Sequence, residues 1–136
     1  MNDLYGHYVG DRTLKMVATT MSNSLRSSDF LGRWAGDEFV AITLNVYADQ
    51  LLAIGNKLRA LVEQSAINLG HDFGRVTISV GATLADTADT MDTLLKRADM
   101  LMYRSKAHGG NLVTADSTSQ IENTEKLLQE RARFFR

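Results

Sequence analysis

Two adjacent carboxylates, Asp37 and Glu38, follow Gly36 at a short break between two apolar runs, residues 30–34 and 39–44. Apolar runs on either side of a tight glycine turn are typical of a β-hairpin, which puts the carboxylates at its tip. Such concentrated negative charge suits a hard cation such as Mg²⁺, because Mg²⁺ prefers oxygen ligands. An acidic hairpin tip is also a common form of solvated loop, so the turn alone leaves both interpretations open.

A second charged pair, Arg26 and Asp29, precedes the turn segment. Residues three apart can form a simple solvated ion pair. The alternative is a binding site, because a guanidinium can donate two parallel hydrogen bonds to a ligand with two neighbouring acceptors.

Further motifs surround these two features in a fixed order. They are N-D-x-Y-G-H-x-x-G-D at residues 2–11, R-x-x-D at 26–29, A-G-D-E-F at 35–39, S-x-G at 79–81, A-D-x-x-x-Y-x-x-K at 98–106 and H-G-G-N at 108–111. In this order they resemble the GGDEF family, the diguanylate cyclase domains of bacterial signalling. The resemblance extends from residue 2 to about residue 115, which makes it far more specific than any single motif.

The resemblance implies a reaction in which two GTP molecules condense to cyclic di-GMP and two pyrophosphates, with Mg²⁺ or Mn²⁺ as cofactor. By this resemblance Asp37 is the catalytic metal ligand and assists deprotonation of the 3′-hydroxyl, while Glu38 supports a second metal position or orients Lys106. Gly36 lets the backbone approach the phosphates closely. Each domain holds half of the site, so a homodimer with two facing domains is implied as well.

The same resemblance assigns substrate binding to Asn2, Asp11 and Lys106. An Asp carboxylate accepts hydrogen bonds from guanine N1–H and N2–H₂, and an Asn amide reaches N3 and N2, which would favour GTP over ATP. Each residue also has a simpler interpretation. Asp11 is a plausible helix N-cap, Asn2 could be frayed, and Lys106 would be stabilised at a helix C-terminus by the macrodipole.

For Arg26 and Asp29 the resemblance implies an allosteric site that binds the product, cyclic di-GMP, and inhibits synthesis. We favour this role over the solvated ion pair because the spacing from the turn matches the family.

Composition limits the remaining classes of function. The chain has 136 residues, 44% hydrophobic and 23% charged, with a net charge of −1. This is ordinary usage for one globular domain, and no global field favours nucleic acid or a membrane surface. The absence of Cys excludes disulfides and thiolate metal sites. We therefore expect a soluble, cytoplasmic domain that contacts neither nucleic acid nor membrane.

The order of apolar patterns predicts an α+β fold, a nucleotide-cyclase or ferredoxin-like sheet flanked by helices. We expect helices at about 11–27, 48–64 and 90–107, and a hairpin at about 30–45. Two strands are expected within 65–84, the second at 76–80, and a last strand at 111–114. We divide the chain into a GGDEF domain, residues 1–116, and a C-terminal amphipathic helix, residues 117–136.

Three departures from the family bear on activity. The family has a D-x-D-x-F-K strand upstream of residue 2, with a metal-binding Asp and a phosphate-binding Lys, and we expect this first strand to be missing from the chain. Ala35 replaces the first glycine of the signature turn, and Gly110 stands where many members have an arginine that contacts phosphate.

A sheet without its first strand leaves unpaired backbone groups. We expect residues 1–136 to fill the gap by oligomerising, by swapping an element or by docking the helix at 121–135, and to be poorly active. The alternatives to an enzyme are a degenerate module that binds GTP or cyclic di-GMP without turnover, and a dimerisation segment of a larger receptor.

Overall fold

The computed structural model describes residues 4–69, 76–116 and 130–135. Its elements are α1 (Leu4–Ser24), β1 (Phe30–Ala35), β2 (Glu38–Leu44), α2 (Ala48–Leu69), β3 (Val80–Leu84), α3 (Met91–Ala107), β4 (Val113–Ala115) and β5 (Glu130–Phe135). The strands form one sheet in the order β1-β2-β5-β3-β4. The expected α+β class, with helices flanking a mixed sheet, is confirmed.

The strand directions define two ends of this sheet. β1 and β2 form an antiparallel hairpin, β5 is antiparallel to both β2 and β3, and β3 is parallel to β4. β2 and β3 therefore run in the same direction, and Phe39 and Val80, near their starts, both pair with Phe135. We call this the turn end, because it carries the loop between β1 and β2. The far end is where β2 and β3 finish, at Leu44 and Leu84.

The helices bury both faces of the sheet. α1 and α2 cover one face with a core that includes the fully buried Met21, Leu58 and Val62. On the other face α3 packs Ala98 and Met102 against Val40 of β2. α3 also approaches β3 so closely that a Cβ on Gly81 would overlap the backbone of α3 at Ala98 and Met102. This contact explains why the S-x-G motif ends in glycine.

The boundaries of all three helices differ from the sequence prediction. α1 begins at Leu4, so Asp11 lies inside the helix and is not its N-cap. α2 continues to Leu69, so residues 65–69 are helix and not the first of the two strands expected within 65–84. The second strand, expected at 76–80, lies four residues later, at Val80–Leu84. Leu58, Val62 and Ala66, each four residues apart and buried in one core, continue the apolar stripe and keep this segment helical. α3 begins one residue after the prediction, with Thr90 as its N-cap in a capping box.

β5 occupies the central position in the sheet. It forms from Glu130–Phe135, part of the segment for which we predicted a C-terminal helix over residues 117–136. That prediction is wrong for these residues, and residues 117–129 lie outside the described part of the chain. The strand forms because β2 and β3 would otherwise each leave a row of backbone N–H and C=O groups unpaired between them. Residues 130–135 therefore complete the sheet between β2 and β3, and they do so as a strand.

Within the described ranges, no helix is both long and apolar enough to cross a membrane.

Candidate active site

The signature turn connects β1 to β2 at the turn end of the sheet. Ala35 pairs with Glu38, so Gly36 and Asp37 form the two-residue loop of the hairpin. Gly36 has a φ of 46°, a left-handed conformation in which glycine is unstrained. Arg33 Nε donates a hydrogen bond of 2.6 Å to the Gly36 carbonyl and braces the loop. The turn is thus a built structure that presents Asp37, which is exposed, at its tip.

Ala35, the first departure from the family pattern, causes no backbone strain. Among the described residues other than glycine, positive φ angles occur at Asn45 and Asn111, so the backbone of Ala35 is ordinary. The glycine that the turn geometry requires is the second one, Gly36, and this residue is present. The alanine of the A-G-D-E-F sequence is therefore compatible with this two-residue turn.

Two adjacent clefts lie beside the turn. The larger, of about 690 Å³, is lined by Asp11 of α1 and by the β1 and β2 residues Gly32, Arg33 and Phe39, among others. Its volume falls in the range of small-molecule sites. The smaller, of about 200 Å³, is lined by Asp37 and by residues of α1 and of the segment that precedes β3. Phe39 lines both clefts, so Asp11 and Asp37 belong to one continuous region.

Three cationic side chains, Arg12, Lys15 and Arg33, line the larger cleft together with Asp11. Sequence reasoning did not assign them a role. The signal that could have found them is their spacing. Arg12 and Lys15 are three apart on the helix that carries Asp11, and Arg33 pairs directly with Phe39 across the hairpin. They supply local positive charge that a chain with a net charge of −1 lacks globally.

Lys106 lies in the last turn of α3, at the same end of the sheet as the signature turn. The neighbouring Ser105 donates a hydrogen bond of 2.9 Å to the carbonyl of Val80, which fixes this end of α3 over the start of β3. β2 and β3 are two strand spacings apart, roughly 10 Å, with β5 between them. The structure therefore brings Lys106 to the turn end but across the width of a strand from Asp37.

The loop after α3 is fixed by an unusual backbone and by α2. Gly109, Gly110 and Asn111 have positive φ angles of 109°, 73° and 54° in succession. Asn111 accepts a hydrogen bond of 3.1 Å from Arg59 and donates one of 2.9 Å to Glu63. Gly110 thus occupies a conformation that an arginine would adopt only with strain, which gives a structural reason for this departure from the family. The Arg59–Glu63 pair was not identified from the sequence.

Arg26 and Asp29 lie at the far end of the sheet, not at the turn. The Arg26 guanidinium donates to both Asp29 oxygens, at 3.3 and 3.0 Å, and to the Leu44 carbonyl at 2.7 Å. The Asp29 side chain is 2% exposed whereas that of Arg26 is 51% exposed, so the carboxylate holds an outward-facing guanidinium. The hydrogen bonds that Arg26 donates to the Asp29 carboxylate raise the pKa of the guanidinium. β2 separates this pair from the signature turn by roughly 20 Å, so the pair and the turn do not share one cleft.

A denser ionic network stands at the same far end, beneath the start of α3. Arg97 donates to the two carboxylate oxygens of Asp89 at 2.9 and 2.6 Å, and to the Leu84 carbonyl at 2.8 Å. Thr83 accepts from Arg97 and donates to Asp116 at 2.6 Å. The Arg97 hydrogen bonds lower the pKa of Asp89 from 3.8 to about 2. These contacts join α3 to β3 and to the end of β4.

The residues of the turn fit a divalent metal that is completed by substrate. Asp37, exposed in the loop, and Glu38, half-buried at the start of β2, offer two carboxylates. No group of three or more metal-binding side chains occurs in the part of the chain that the structure describes. Mg²⁺ is often held by one or two carboxylates together with substrate phosphates and water. A donor set of this size suits Mg²⁺ or Mn²⁺ with a bound triphosphate better than a fully protein-made metal cage. Asn2 lies outside the described residues.

Comparison with known proteins gives a consistent result. The model of the family described as "Diguanylate cyclase, GGDEF domain" matches residues 1–112. Diguanylate cyclase DgcM of Escherichia coli K12 is 35% identical over 115 residues, which cover 85% of this chain and 27% of that protein. Response regulator PleD of Caulobacter vibrioides is 36% identical over 116 residues, 83% of this chain and 26% of that protein. The chain thus spans only about a quarter of the length of these relatives.

A solved structure supports the same relationship at the level of the fold. The GGDEF domain of DgcB from Caulobacter crescentus, in complex with c-di-GMP, superposes with a TM-score of 0.75 at 28% sequence identity. The matched region covers 84% of this chain and 68% of that one. The motifs, the family match and the shared architecture agree, and the chain belongs to the GGDEF family of diguanylate cyclase domains.

Proposed function

We propose that this domain is the catalytic part of a diguanylate cyclase, condensing two GTP molecules into cyclic di-GMP and two pyrophosphates. The observation that carries the proposal is the intact signature turn. Asp37 is presented on an unstrained loop that Gly36 and Arg33 shape, with Glu38 at the start of β2, beside a cleft of about 690 Å³.

The larger cleft suits the guanine base and part of the triphosphate. Asp11 lines it and offers carboxylate oxygens that can accept from guanine N1–H and N2–H₂, whereas adenine presents no N1–H. Arg12, Lys15 and Arg33 line the same cleft and supply charge for phosphate oxygens. Asn2 and Lys106 remain part of the proposal as further substrate contacts.

Asp37 and Glu38 would hold Mg²⁺ or Mn²⁺, which when bound neutralises negative charge on the triphosphate and on the leaving pyrophosphate. Gly36 has no side chain, so the backbone of the turn would be able to approach the phosphates closely. Asp37 also acts as the general base that accepts the proton of the 3′-hydroxyl. This carboxylate is exposed at the loop tip, where an incoming hydroxyl can reach it.

The reaction needs two copies of the domain. Each copy binds one GTP, and the two turns face each other. The 3′-oxygen of one GTP forms a bond to the α-phosphorus of the other, the bond from that phosphorus to the bridging oxygen breaks, and pyrophosphate leaves. The same step on the other pair of atoms closes the ring. Transfers of this kind depend mainly on positioning and charge neutralisation.

Product inhibition through Arg26 and Asp29 is a further part of the proposal. Asp29 fixes the Arg26 side chain on the surface with two hydrogen bonds, which leaves the guanidinium half exposed. A guanidinium held in this way is suited to a bidentate contact with guanine O6 and N7 of cyclic di-GMP. The site would act at a distance, since β2 separates it from the signature turn. We propose a cytoplasmic location, where GTP is made and used.

A second candidate is a module that binds GTP or cyclic di-GMP without turnover. The sequence of the central strand, E-R-A-R-F-F at residues 130–135, favours it, because this strand contributes no aspartate near the signature turn. For the same reason we expect residues 1–136 alone to be poorly active.

Two assays separate the candidates. The natural gene product that contains this sequence is incubated with GTP and Mg²⁺, and cyclic di-GMP is measured by mass spectrometry. Calorimetry with GTP, Mg²⁺ and cyclic di-GMP is run in parallel, with ATP as control. Synthesis supports the cyclase. Binding of GTP without formation of cyclic di-GMP supports the binding module. If neither GTP nor cyclic di-GMP binds, both candidates are excluded and a dimerisation segment of a larger receptor is the remaining interpretation.

A further inference from the structure

Asp11 and Lys15 lie one turn apart on α1 and line the same cleft of about 690 Å³. Both residues are exposed. We propose that Lys15 is a specificity-determining residue that donates a hydrogen bond to O6 of the guanine base, while Asp11 accepts from N1–H and N2–H₂ of the same base. This inference rests on the proposed function of the cleft as a GTP site, and it names the residue that recognises the third polar group of the base.

The spacing of the two charges matches the order of the polar groups along one edge of guanine. Residues four apart on a helix are neighbours on one face, with Cβ atoms roughly 6 Å apart. Guanine presents the donors N2–H₂ and N1–H and then the acceptor O6 along this edge. A carboxylate accepts from the two donors, and an ammonium, which has three donors and no acceptor, suits the oxygen. Asp11 and Lys15 together can therefore recognise the whole edge, which neither residue could do alone.

Lys15 lies on the side of the cleft that is further from the signature turn. Beside the turn, Gly10 of α1 lines the smaller cleft together with Asp37. From there α1 runs toward the far end of the sheet, so that Asp11 comes next and Lys15 lies one helical turn, roughly 6 Å, beyond it. Arg33, in contrast, is hydrogen-bonded to the backbone of the turn. A triphosphate held at Asp37 would therefore lie near Arg33, with the base toward Lys15, whose charge still adds to the attraction of the anionic nucleotide.

The walls of the cleft suit a flat base. Leu14 and Ala18 of α1 line it on one side, and Leu31 of β1 and Phe39 of β2 line it on the other. Apolar side chains on both sides can contact the two faces of a purine but cannot hydrogen-bond to it, so the polar side chains of the cleft determine how the base is oriented. A polar group of the base that loses water here without gaining a partner lowers the affinity.

The same pair of residues would reject ATP. Adenine carries an amino group at the position of guanine O6, and its N1 has no proton. The amino group would meet the ammonium of Lys15, a donor against a donor, and N1 would meet the carboxylate of Asp11, an acceptor against an acceptor. A site that leaves polar groups unpaired in this way rejects the wrong ligand by a large factor. Lys15 thus adds a repulsion that Asp11 alone does not supply.

Three triphosphates that differ at single positions of the base test the assignment. They are GTP, 6-thio-GTP, in which sulfur, a weak acceptor, replaces O6, and ITP, which lacks the 2-amino group. All three are used as 3′-deoxynucleotides, which lack the attacking hydroxyl and cannot react. Their affinities are measured by calorimetry with Mg²⁺ for the natural gene product that contains this sequence and for its Lys15→Met variant. Because the triphosphate is the same in each ligand, the general loss of positive charge cancels in the ratios of affinities.

We expect the parent to prefer GTP to 6-thio-GTP by about tenfold and Lys15→Met to lose most of this preference, because the charge-assisted hydrogen bond to O6 is absent. The preference for GTP over ITP depends on Asp11 and should change by less than about twofold, since the two contacts are separate. The matched control is Lys96→Met, which removes a lysine that is 77% exposed on α3 and should change neither ratio.

The outcomes separate the role of Lys15 from the proposed function. If the parent binds GTP and the ratio of GTP to 6-thio-GTP is unchanged in Lys15→Met, the role of Lys15 is overturned and the GTP site stands. Loss of both ratios in Lys15→Met would overturn it too, because a structural change of the whole cleft would then explain the result. If the parent binds none of the three nucleotides, the proposed GTP site and the role of Lys15 both fail.

Discussion

The two ends of the sheet differ in how their charged groups are held. At the turn end, Asp37 lies exposed on a two-residue loop, braced by one hydrogen bond of 2.6 Å between Arg33 and the Gly36 carbonyl. At the far end, Arg97 binds Asp89 through both carboxylate oxygens, and the Asp89 side chain is 10% exposed. One end presents carboxylates to solvent, and the other uses a carboxylate to join helix α3 to the sheet.

This difference would separate the proposed chemistry from stability within one small domain. A carboxylate that is proposed to hold a metal ion beside a triphosphate has to remain accessible, so it can contribute little to folding. Asp89, with several hydrogen bonds and a pKa lowered to about 2, stabilises the fold. Its oxygens already accept hydrogen bonds from Arg97, so they are not available to bind a ligand. Substitutions at the two ends should therefore have opposite consequences for activity and for the free energy of unfolding.

The largest effect is expected for Asp37→Ala in the natural gene product. Loss of a metal-binding carboxylate should lower turnover of GTP by roughly three or more decades. The melting temperature should stay close to that of the parent, because the side chain is exposed. Product is measured by mass spectrometry and the fold by circular dichroism. More than about a tenth of parental turnover in the variant would rule out the assigned role.

Asp89→Asn tests the far end. Since the pKa of Asp89 falls from 3.8 to about 2 on folding, its ionised form contributes about 2 kcal/mol to stability. A lowered pKa stabilises above the unfolded value, so this contribution should be complete above about pH 4 and disappear as the pH falls towards 2. Urea unfolding at several pH values measures it. The control is Asp92→Asn, whose ion pair with Lys96 is 77% exposed on both sides and should matter little.

The variant and the parent should converge in stability at the lowest pH. If the difference between them is unchanged from neutral pH down to pH 2, the ionic network is not its source.

Arg26→Ala tests the separateness of the proposed product site. Affinity for cyclic di-GMP should fall by about tenfold or more, because a charge-assisted bidentate contact is lost. The initial rate with GTP should hardly change, since β2 separates Arg26 from the turn. Calorimetry with cyclic di-GMP measures the affinity, and Arg104→Ala removes an exposed arginine from α3 as control. Equal affinities in Arg26→Ala and the parent would mean that Arg26 and Asp29 form only a surface pair.

Ala35→Gly should produce the smallest effect. The backbone of Ala35 is already ordinary, so glycine relieves no strain. It should instead destabilise the hairpin by about 0.5–1 kcal/mol through added chain entropy, and change turnover by less than about twofold. Thermal unfolding and the turnover assay measure both. A large gain in activity would show that the methyl group, and not the backbone, limits the natural site.

Local patterns in the sequence were sufficient for most of the fold. The hairpin, α2 and α3 follow from apolar spacing and from the glycine of the turn, and their starts are correct to within a residue for α2 and α3. The start of α1 was misjudged because Asp11 is a good N-cap residue, although in the fold it is a helix-interior residue that lines a cleft. The family motifs identified the turn, but not the cations beside it.

β5 could not be predicted from its own residues. Ile121, Leu128, Ala132 and Phe135 fall near one face of a helix, and the charged residues of E-R-A-R-F-F argue against a central strand. Residues 130–135 form a strand because the facing edges of β2 and β3 each need a backbone hydrogen-bonding partner. Conformation here depends on tertiary pairing between distant parts of the chain, which local periodicity does not record.

One paired measurement tests the separation of the two ends most directly. GTP turnover and the urea midpoint are determined for Asp37→Ala and Asp89→Asn, side by side with the parent, under conditions in which all three remain folded. We predict that Asp37→Ala loses activity and keeps its midpoint, while Asp89→Asn keeps activity and unfolds at lower urea. Retained turnover in Asp37→Ala, or loss of turnover in folded Asp89→Asn, would contradict the assignment of chemistry to the turn end.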